Sequence, residues 1–194
     1  MPPLNTWPFQ TATLRRAEAW CFAWGAVESL LFFIVPDVAI SVVAVPFLGR
    51  SLLCSLWAVL GGMVGGSLMY LWASLHPEAA LSALLALPAI YPDMVREVHT
   101  SLQKEGLSAM IWGPAKGIPY KLYAEQAGAM GLPYLQFVWL TLPARMIRYV
   151  VTCVGFHYIG KGVREFMGER ALPWIWLLFW IMNYVIYWGI HLGR

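Results

Sequence analysis

Residues 17–50 read AEAWCFAWGAVESLLFFIVPDVAISVVAVPFLGR, and the fold turns on how this stretch is taken. Ala17–Val35 is apolar apart from Glu18 and Glu28. Pro36 and Asp37 interrupt it, and Val38–Leu48 is apolar again before Gly49 and Arg50 close the unit. A helix needs about 20 apolar residues to cross a bilayer, so Val38–Leu48 is too short to span by itself. Proline removes a backbone donor and blocks helix continuation, so the break belongs at Pro36. The segment is therefore a broken apolar helix, followed at once by Leu52–Leu75, which is long enough to span.

The rest of the chain repeats this plan. Leu107–Ala115 is apolar and short, and runs into Lys116-Gly-Ile-Pro-Tyr-Lys121. Leu122–Leu132, with Glu125 inside it, leads into the long apolar run Pro133–Gly160, which holds Arg145 and Arg148. Val45-Pro46-Phe47-Leu48 enters the first long span and Leu132-Pro133-Tyr134-Leu135 the second. Broken helices at matching places in two halves are the mark of an inverted repeat around a central site. Irregular backbone at membrane depth is tolerated only where protein or a water-filled cavity surrounds it. The other reading is a set of ordinary kinked helices.

Composition agrees. Sixty per cent of the 194 residues are hydrophobic and 12% are charged. A soluble domain has about 25% charged residues, because most of its surface faces water. The 11 Trp and 9 Tyr suit membrane interfaces. The net charge of +3 is scattered, which does not point to nucleic acid. Cys21, Cys54 and Cys153 all lie in apolar runs and read as reduced packing residues, with no disulfide, metal or cofactor expected. Ala17–Val35 lacks a small-residue cleavage site and is read as retained rather than as a signal peptide.

The expected fold is an all-α integral membrane protein. Two re-entrant helical hairpins are each followed by a transmembrane helix, and the final span, Leu172–Leu192, carries four tryptophans. Residues 1–16 form an N-terminal arm, 17–160 the membrane domain, and 161–194 a charged loop with the last helix. Gly61, Gly62, Gly65 and Gly66 in the first span let another helix approach closely. Residues 76–106 carry most of the charge outside the apolar runs, with Leu81–Ala89 as an interfacial helix. With re-entrant hairpins and a cytoplasmic N-terminus, Arg15, Arg16, Arg50, Lys161, Arg164 and Arg170 face the cytoplasm, against Arg96, Lys104 and Arg194 outside. Six against three agrees with the positive-inside rule; the expected location is a bacterial plasma (inner) membrane, with the N-terminus cytoplasmic.

Seven charges remain in apolar surroundings: Glu28, Asp37, Lys116, Lys121, Glu125, Arg145 and Arg148. Each costs at least about 2.5 kcal/mol at the bilayer centre unless it pairs, lines a cavity or snorkels to an interface. Lys121 and Glu125 are four apart and able to pair along a helix, while Arg145 and Arg148 share a face.

These residues resemble a known family. Glu28-Ser-Leu-Leu-Phe-Phe-Ile-Val-Pro36-Asp37 resembles the "ESSFFPIPPD" element of the DedA family (the VTT, or SNARE-associated Golgi, group), with the YqaA-type branch nearest. Gly117-Ile-Pro119-Tyr120-Lys121 followed by Ala127-Gly128 is similar to that branch's "PIPYK…AG" element. Phe137, Ala144-Arg145 and Arg148-Tyr149 resemble its next helix, and Gly62 to Tyr70 its small-residue helix. The four motifs stand in the family's order across about residues 17–160. The resemblance implies two hairpins facing each other from opposite leaflets and a lipid-handling role. Some members are implicated in proton-coupled flipping of undecaprenyl phosphate, and eukaryotic relatives scramble phospholipids. It makes Glu28 and Asp37 the acidic pair. The chain departs from the family's Arg-x-x-Pro-x-x-Arg, having Lys116-x-x-Pro119-x-Lys121 beside an unusual Pro114-Ala-Lys-Gly stretch. Lysine lacks arginine's bidentate fork for phosphate.

The expected function is thus a transporter that flips or scrambles an anionic lipid with proton coupling. Burial favours the neutral carboxyl, which suits Glu28 and Asp37 to proton uptake. Lys116, Lys121, Arg145 and Arg148 are the candidate headgroup contacts, with Glu125 beside them. A non-transporting scaffold, an ion-coupled transporter of a small solute and an intramembrane hydrolase built on Glu and Asp are the alternatives. No metal-protease, nucleophile-elbow or phosphate-loop motif is present, so no enzyme is expected. The expected partner is a membrane lipid, and a homo-oligomer is compatible with the sequence.

Overall fold

The computed structural model describes residues 11–31, 33–88 and 90–192. Most of the expected N-terminal arm (residues 1–10), the end of the expected interfacial helix (Ala89) and the outside charge Arg194 lie outside these. Among the described residues there is no strand, and three segments are long and apolar enough to cross a membrane: Leu48–Leu75, Tyr134–Met167 and Glu169–Gly189.

The first helix, α1 (Thr11–Leu30), stops ahead of Pro36, and α2 (Asp37–Ala44) restarts directly after it. Trp24 fixes the broken segment by donating its indole N–H to the Ile34 carbonyl at 2.9 Å. α3 (Leu48–Leu75) begins two residues after Pro46, so Gly49 and Arg50 lie inside the span rather than closing the unit before it. Glycine followed by arginine does not stop a helix whose next residues are good helix formers. The charged region folds as α4 (Pro77–Leu85), which starts earlier than the expected interfacial helix, and α5 (Pro92–Glu105). Proline supplies the first turn of each, where its missing N–H has no partner to lose. α5 buries Val98 and Leu102 and ends at Gly106, whose φ of 63° favours glycine.

The second unit runs α6 (Ala109–Trp112), a 3-10 turn over Gly113–Lys116, α7 (Tyr120–Ala129) and α8 (Tyr134–Met167). Gly117 reverses the chain at φ 76° ahead of Pro119. Its first arm is four residues long against 20 in α1, so the two broken segments share an order of elements but not a size. Each short helix packs on the long helix of the other unit, α7 on α3 and α2 on α8.

α8 runs 34 residues, through the 161–167 stretch expected as a loop. Lys161–Met167 holds no proline and its Gly162 stays helical, so the helix runs on to Gly168, which ends it at φ 84°. The expected boundary after residue 160 therefore falls inside one helix. Arg164 then pairs with Glu169 at 2.8 Å across the turn into α9 (Leu172–Leu192). α9 is mostly exposed, with Leu172 as its buried anchor.

The α3 glycines have two duties on two faces. A Cβ at Gly61 or Gly65 would strike the backbone carbonyl of Phe22 or Ala26 in α1, and one at Gly25 would strike that of Ala58. The absence of these side chains brings α1 into backbone contact with α3. Gly62 and Gly66 face the other way, toward Arg145 and the Tyr120 hydroxyl.

Candidate functional site

The site begins with the polar residues of α8. Arg145, Arg148, Tyr149 and Thr152 sit at i, i+3, i+4 and i+7, so they share one face of an otherwise apolar helix. That face meets the end of α1 and the start of α2, the two ends of the first break. Glu28 and Ser29 are in the last turn of α1, and Asp37 is the first residue of α2.

Arg145 is 2% exposed and Glu28 5%. One guanidinium nitrogen of Arg145 donates to Glu28 Oε2 at 2.6 Å and to the Tyr149 hydroxyl at 2.6 Å. The other donates to Ser29 Oγ at 2.8 Å. Ser29 passes its own proton to the Gly25 carbonyl at 2.8 Å. The guanidinium lies 4.8 Å from the centroid of the Tyr120 ring and 5.6 Å from that of Tyr149, and these faces add cation–π attraction. Tyr120 is held by a 2.8 Å hydrogen bond with Thr141. The space for the arginine comes from Gly62, where a Cβ would stand 2.8 Å from Arg145 Nε.

The second pair is looser. Arg148 Nη2 lies 3.0 Å from Asp37 Oδ2, while Asp37 Oδ1 accepts from Thr152 at 2.8 Å. The arginine contact is close in distance but misaligned. Asp37 Oδ2 and Arg148 Nε are consequently buried without a hydrogen-bond partner among the described residues, as is Arg145 Nε. The Arg148 side chain keeps 33% of its exposure. Its guanidinium is 5.1 Å from the Tyr149 ring centroid, so one ring serves both arginines.

Beside these pairs lies a cavity of about 220 Å³. Its charged wall is Glu28, Lys121 and Arg148, and Tyr184 and Trp188 of α9 help close the opposite side. α9 is tied to the first break by three hydrogen bonds. The indoles of Trp176 and Trp180 both donate to Ser41 Oγ, at 2.9 and 3.1 Å, and the Val35 N–H donates to the Tyr184 hydroxyl at 3.2 Å.

The candidate residues therefore divide. Glu28, Asp37, Arg145 and Arg148 come together as two ion pairs, and Lys121, 3% exposed, faces the same cavity. Lys116 is exposed and stands outside the cluster, because the 3-10 turn ends the segment there and Gly117 turns the chain before α7. Glu125 is buried on α7 but takes its hydrogen bond from Gln126 at 2.8 Å, not from Lys121. The two arginines lie in α8 rather than in the second break, so the carboxylates pair with a long helix. Ser29, Tyr120, Tyr149 and Thr152 complete the site without having been singled out for it. The heptad-like spacing of the polar residues in α8 is the signal that points to Tyr149 and Thr152. Ser29 and Tyr120 carry no such mark.

Comparison with protein-family models, with curated proteins and with solved structures gives no match.

Proposed function

We propose that this chain is a membrane transporter of the DedA/VTT type that flips or scrambles an anionic, phosphate-bearing lipid, with movement coupled to protons. The observation that carries the reading is two carboxylate–arginine contacts, one buried and one at the wall of a cavity that Lys121 also lines. Buried ion pairs are poor stabilisers compared with apolar packing of the same volume, so three buried charges, a half-buried arginine and a buried lysine call for a task other than holding helices together.

Helix lengths support two re-entrant segments. The apolar part of α1, residues 17–30, spans only about 21 Å at 1.5 Å per residue, and the 8-residue α2 about 12 Å. The hydrocarbon core is about 30 Å thick. α7, with 10 residues, reaches about 15 Å. Each break would then sit within the membrane, enclosed by protein.

In the empty state the arginines are neutralised by Glu28 and Asp37. A phosphate entering the cavity meets Arg148 and Lys121 first, since both line it and the Arg148 side chain keeps a third of its exposure. Arg145 is sealed behind Tyr120 and Tyr149 with its bonds to Glu28, Ser29 and Tyr149 in place, so it positions the site more than it binds. Competition for Arg148 frees Asp37, which takes up a proton and so offsets the buried negative charge of the headgroup. Glu28 follows when its pair with Arg145 opens. Loss of the headgroup restores both pairs and expels the protons.

The test is reconstitution into liposomes with fluorescent anionic and zwitterionic lipids, following transbilayer movement with and without a proton gradient. The expected result is faster movement of the phosphate-bearing lipid, dependent on the gradient and lost in Arg148→Ala. No lipid movement above empty liposomes, with uptake of a water-soluble organic phosphate instead, favours a solute carrier. Neither movement favours a scaffold.

A further inference from the structure

A second polar site lies where α7 meets α5, one helical turn along α7 from Lys121. Glu125 is 1% exposed, and Oε2 accepts from Gln126 Nε2 at 2.8 Å. Gln126, 6% exposed, meets His99 Nδ1 of α5 through its Oε1 at 2.9 Å. His99 Nε2 lies 3.0 Å from the side-chain nitrogen of Gln103, which is exposed one turn further along α5. A chain of four side chains thus runs from the charged outer face of α5 to a carboxyl in the interior of α7.

Donor and acceptor accounting restricts the chain. With Gln126 donating to Glu125, its oxygen must accept, so His99 carries a proton on Nδ1. Gln103 then donates to a bare Nε2, and the imidazole is neutral. The chain is also complete in the reverse sense. If the Glu125 carboxyl holds a proton, it donates to Gln126 Oε1, and the amide nitrogen donates to a bare Nδ1. Nε2 then holds the imidazole proton and donates to the oxygen of a turned Gln103. Both senses satisfy every group, and they differ by one proton on Glu125.

Glu28 and Asp37 each face an arginine, whereas among the described residues no cation lies within ion-pair distance of Glu125. The ionisable side chains on the helices around α7 are otherwise engaged or exposed. Tyr70 of α3 donates to the Leu132 carbonyl, Glu28 of α1 and Arg145 of α8 hold each other, and Glu78 of α4 is exposed. On α5 itself, Arg96 pairs with Asp93, and Glu97, Lys104 and Glu105 are exposed. On α7, Lys121 faces the cavity. His99 is the titratable group in contact with the chain. A carboxyl buried against a neutral amide, without a cation, is a place where a proton is held.

We propose that Glu125, Gln126 and His99 form a proton-binding site distinct from the Glu28–Arg145 and Asp37–Arg148 cluster. The proton comes from water at the α5 face and comes to rest on the Glu125 carboxyl, and the two amides and the imidazole reverse their hydrogen bonds as it binds. Lys121 is one helical turn from Glu125, so the α7 segment that carries the cavity lysine also carries the proton. That coupling to transport rests on the function proposed above; proton binding does not.

Infrared difference spectroscopy on the intact chain in nanodiscs of zwitterionic lipid alone, so that no anionic headgroup competes for Arg148, across a jump between about pH 8 and pH 5, reads the carboxyl directly (a window wide enough to cover a perturbed carboxyl and a histidine). The expected result is a protonated-carboxyl band that disappears in Glu125→Gln, persists in Glu28→Gln and shifts in frequency in His99→Gln. His99→Gln sits on α5 away from the ion pairs and serves if Glu125→Gln does not fold. A band that survives Glu125→Gln, or no band at all, overturns the site. A band identical in wild type and His99→Gln overturns the relay. If the band behaves as expected while liposomes show no lipid movement, the proton site stands and the transport reading falls.

Discussion

Replacing Glu28 with leucine leaves Arg145 buried without its carboxylate, and the structure sets the size of the effect. Both side chains are nearly inaccessible, and the contact is 2.6 Å. Breaking such a pair from one side costs about 3–5 kcal/mol, since the remaining ion cannot reach water. Ser29, Tyr149 and the Tyr120 face stay with the guanidinium, which offsets part of the loss, so about 3 kcal/mol is expected for Glu28→Leu. That is more than a hundredfold in the folding equilibrium, at about 1.4 kcal/mol per tenfold. Arg145→Met leaves the opposite charge stranded and should cost a similar amount. The double variant removes both charges and fills the volume with apolar atoms. It should return to within about 1 kcal/mol of wild type, a coupling of several kcal/mol. Reversible unfolding in mixed micelles, or steric trapping in bicelles, measures all four corners of the cycle. Glu18→Ala is the control, since its contact with Arg50 is 3.4 Å and half-exposed, and should cost no more than about 1 kcal/mol. Additive single effects, or a Glu28→Leu variant as stable as the control, would refute the buried ion pair.

Gly61→Ala and Gly65→Ala should destabilise by more than Gly62→Ala, because their new methyl groups meet backbone in α1 rather than a side chain that can shift. About 2 kcal/mol separates overpacking against rigid atoms from the helix-propensity gain of alanine, and the same unfolding assay resolves it. Ser41→Ala removes the shared acceptor of Trp176 and Trp180 and should cost about 1–2 kcal/mol, seen as faster proteolysis in the 168–171 turn and a changed tryptophan emission. Arg50→Cys and Asp93→Cys should react with an impermeant thiol reagent from opposite sides of the membrane, since the 28-residue α3 covers about 42 Å. Reaction from one side only would rule out the re-entrant first segment.

Much of the architecture was legible in the linear sequence, for reasons internal to single segments. Apolar length separates Leu48–Leu75, Tyr134–Met167 and the last helix from the shorter runs, and proline marks the breaks at Pro36 and Pro119, although Pro143 is carried inside α8 without ending it. The glycine cluster announced a close helix approach because only backbone is left to touch. Legibility failed where hydropathy was taken for secondary structure. Lys161–Met167 is polar yet helical, since polarity decides where a helix lies and only Gly168 decides where it ends. The list of buried charges was also visible, but not their partners. Glu28 and Arg145 are 117 residues apart, and their meeting depends on how far α1 sinks into α3 and on the rotation of α8 about its axis. That rotation turns Arg145 inward and leaves Arg148 at the cavity wall, while the packing of α7 on α5 brings Gln126, the neighbour of Glu125, against His99, and the turn at Gly117 leaves Lys116 outside. A sequence read segment by segment tells which charges must find a partner, because burying one alone costs too much. Which partner each finds is set by distances of a few ångströms between helices, and those exist only once the helices are packed.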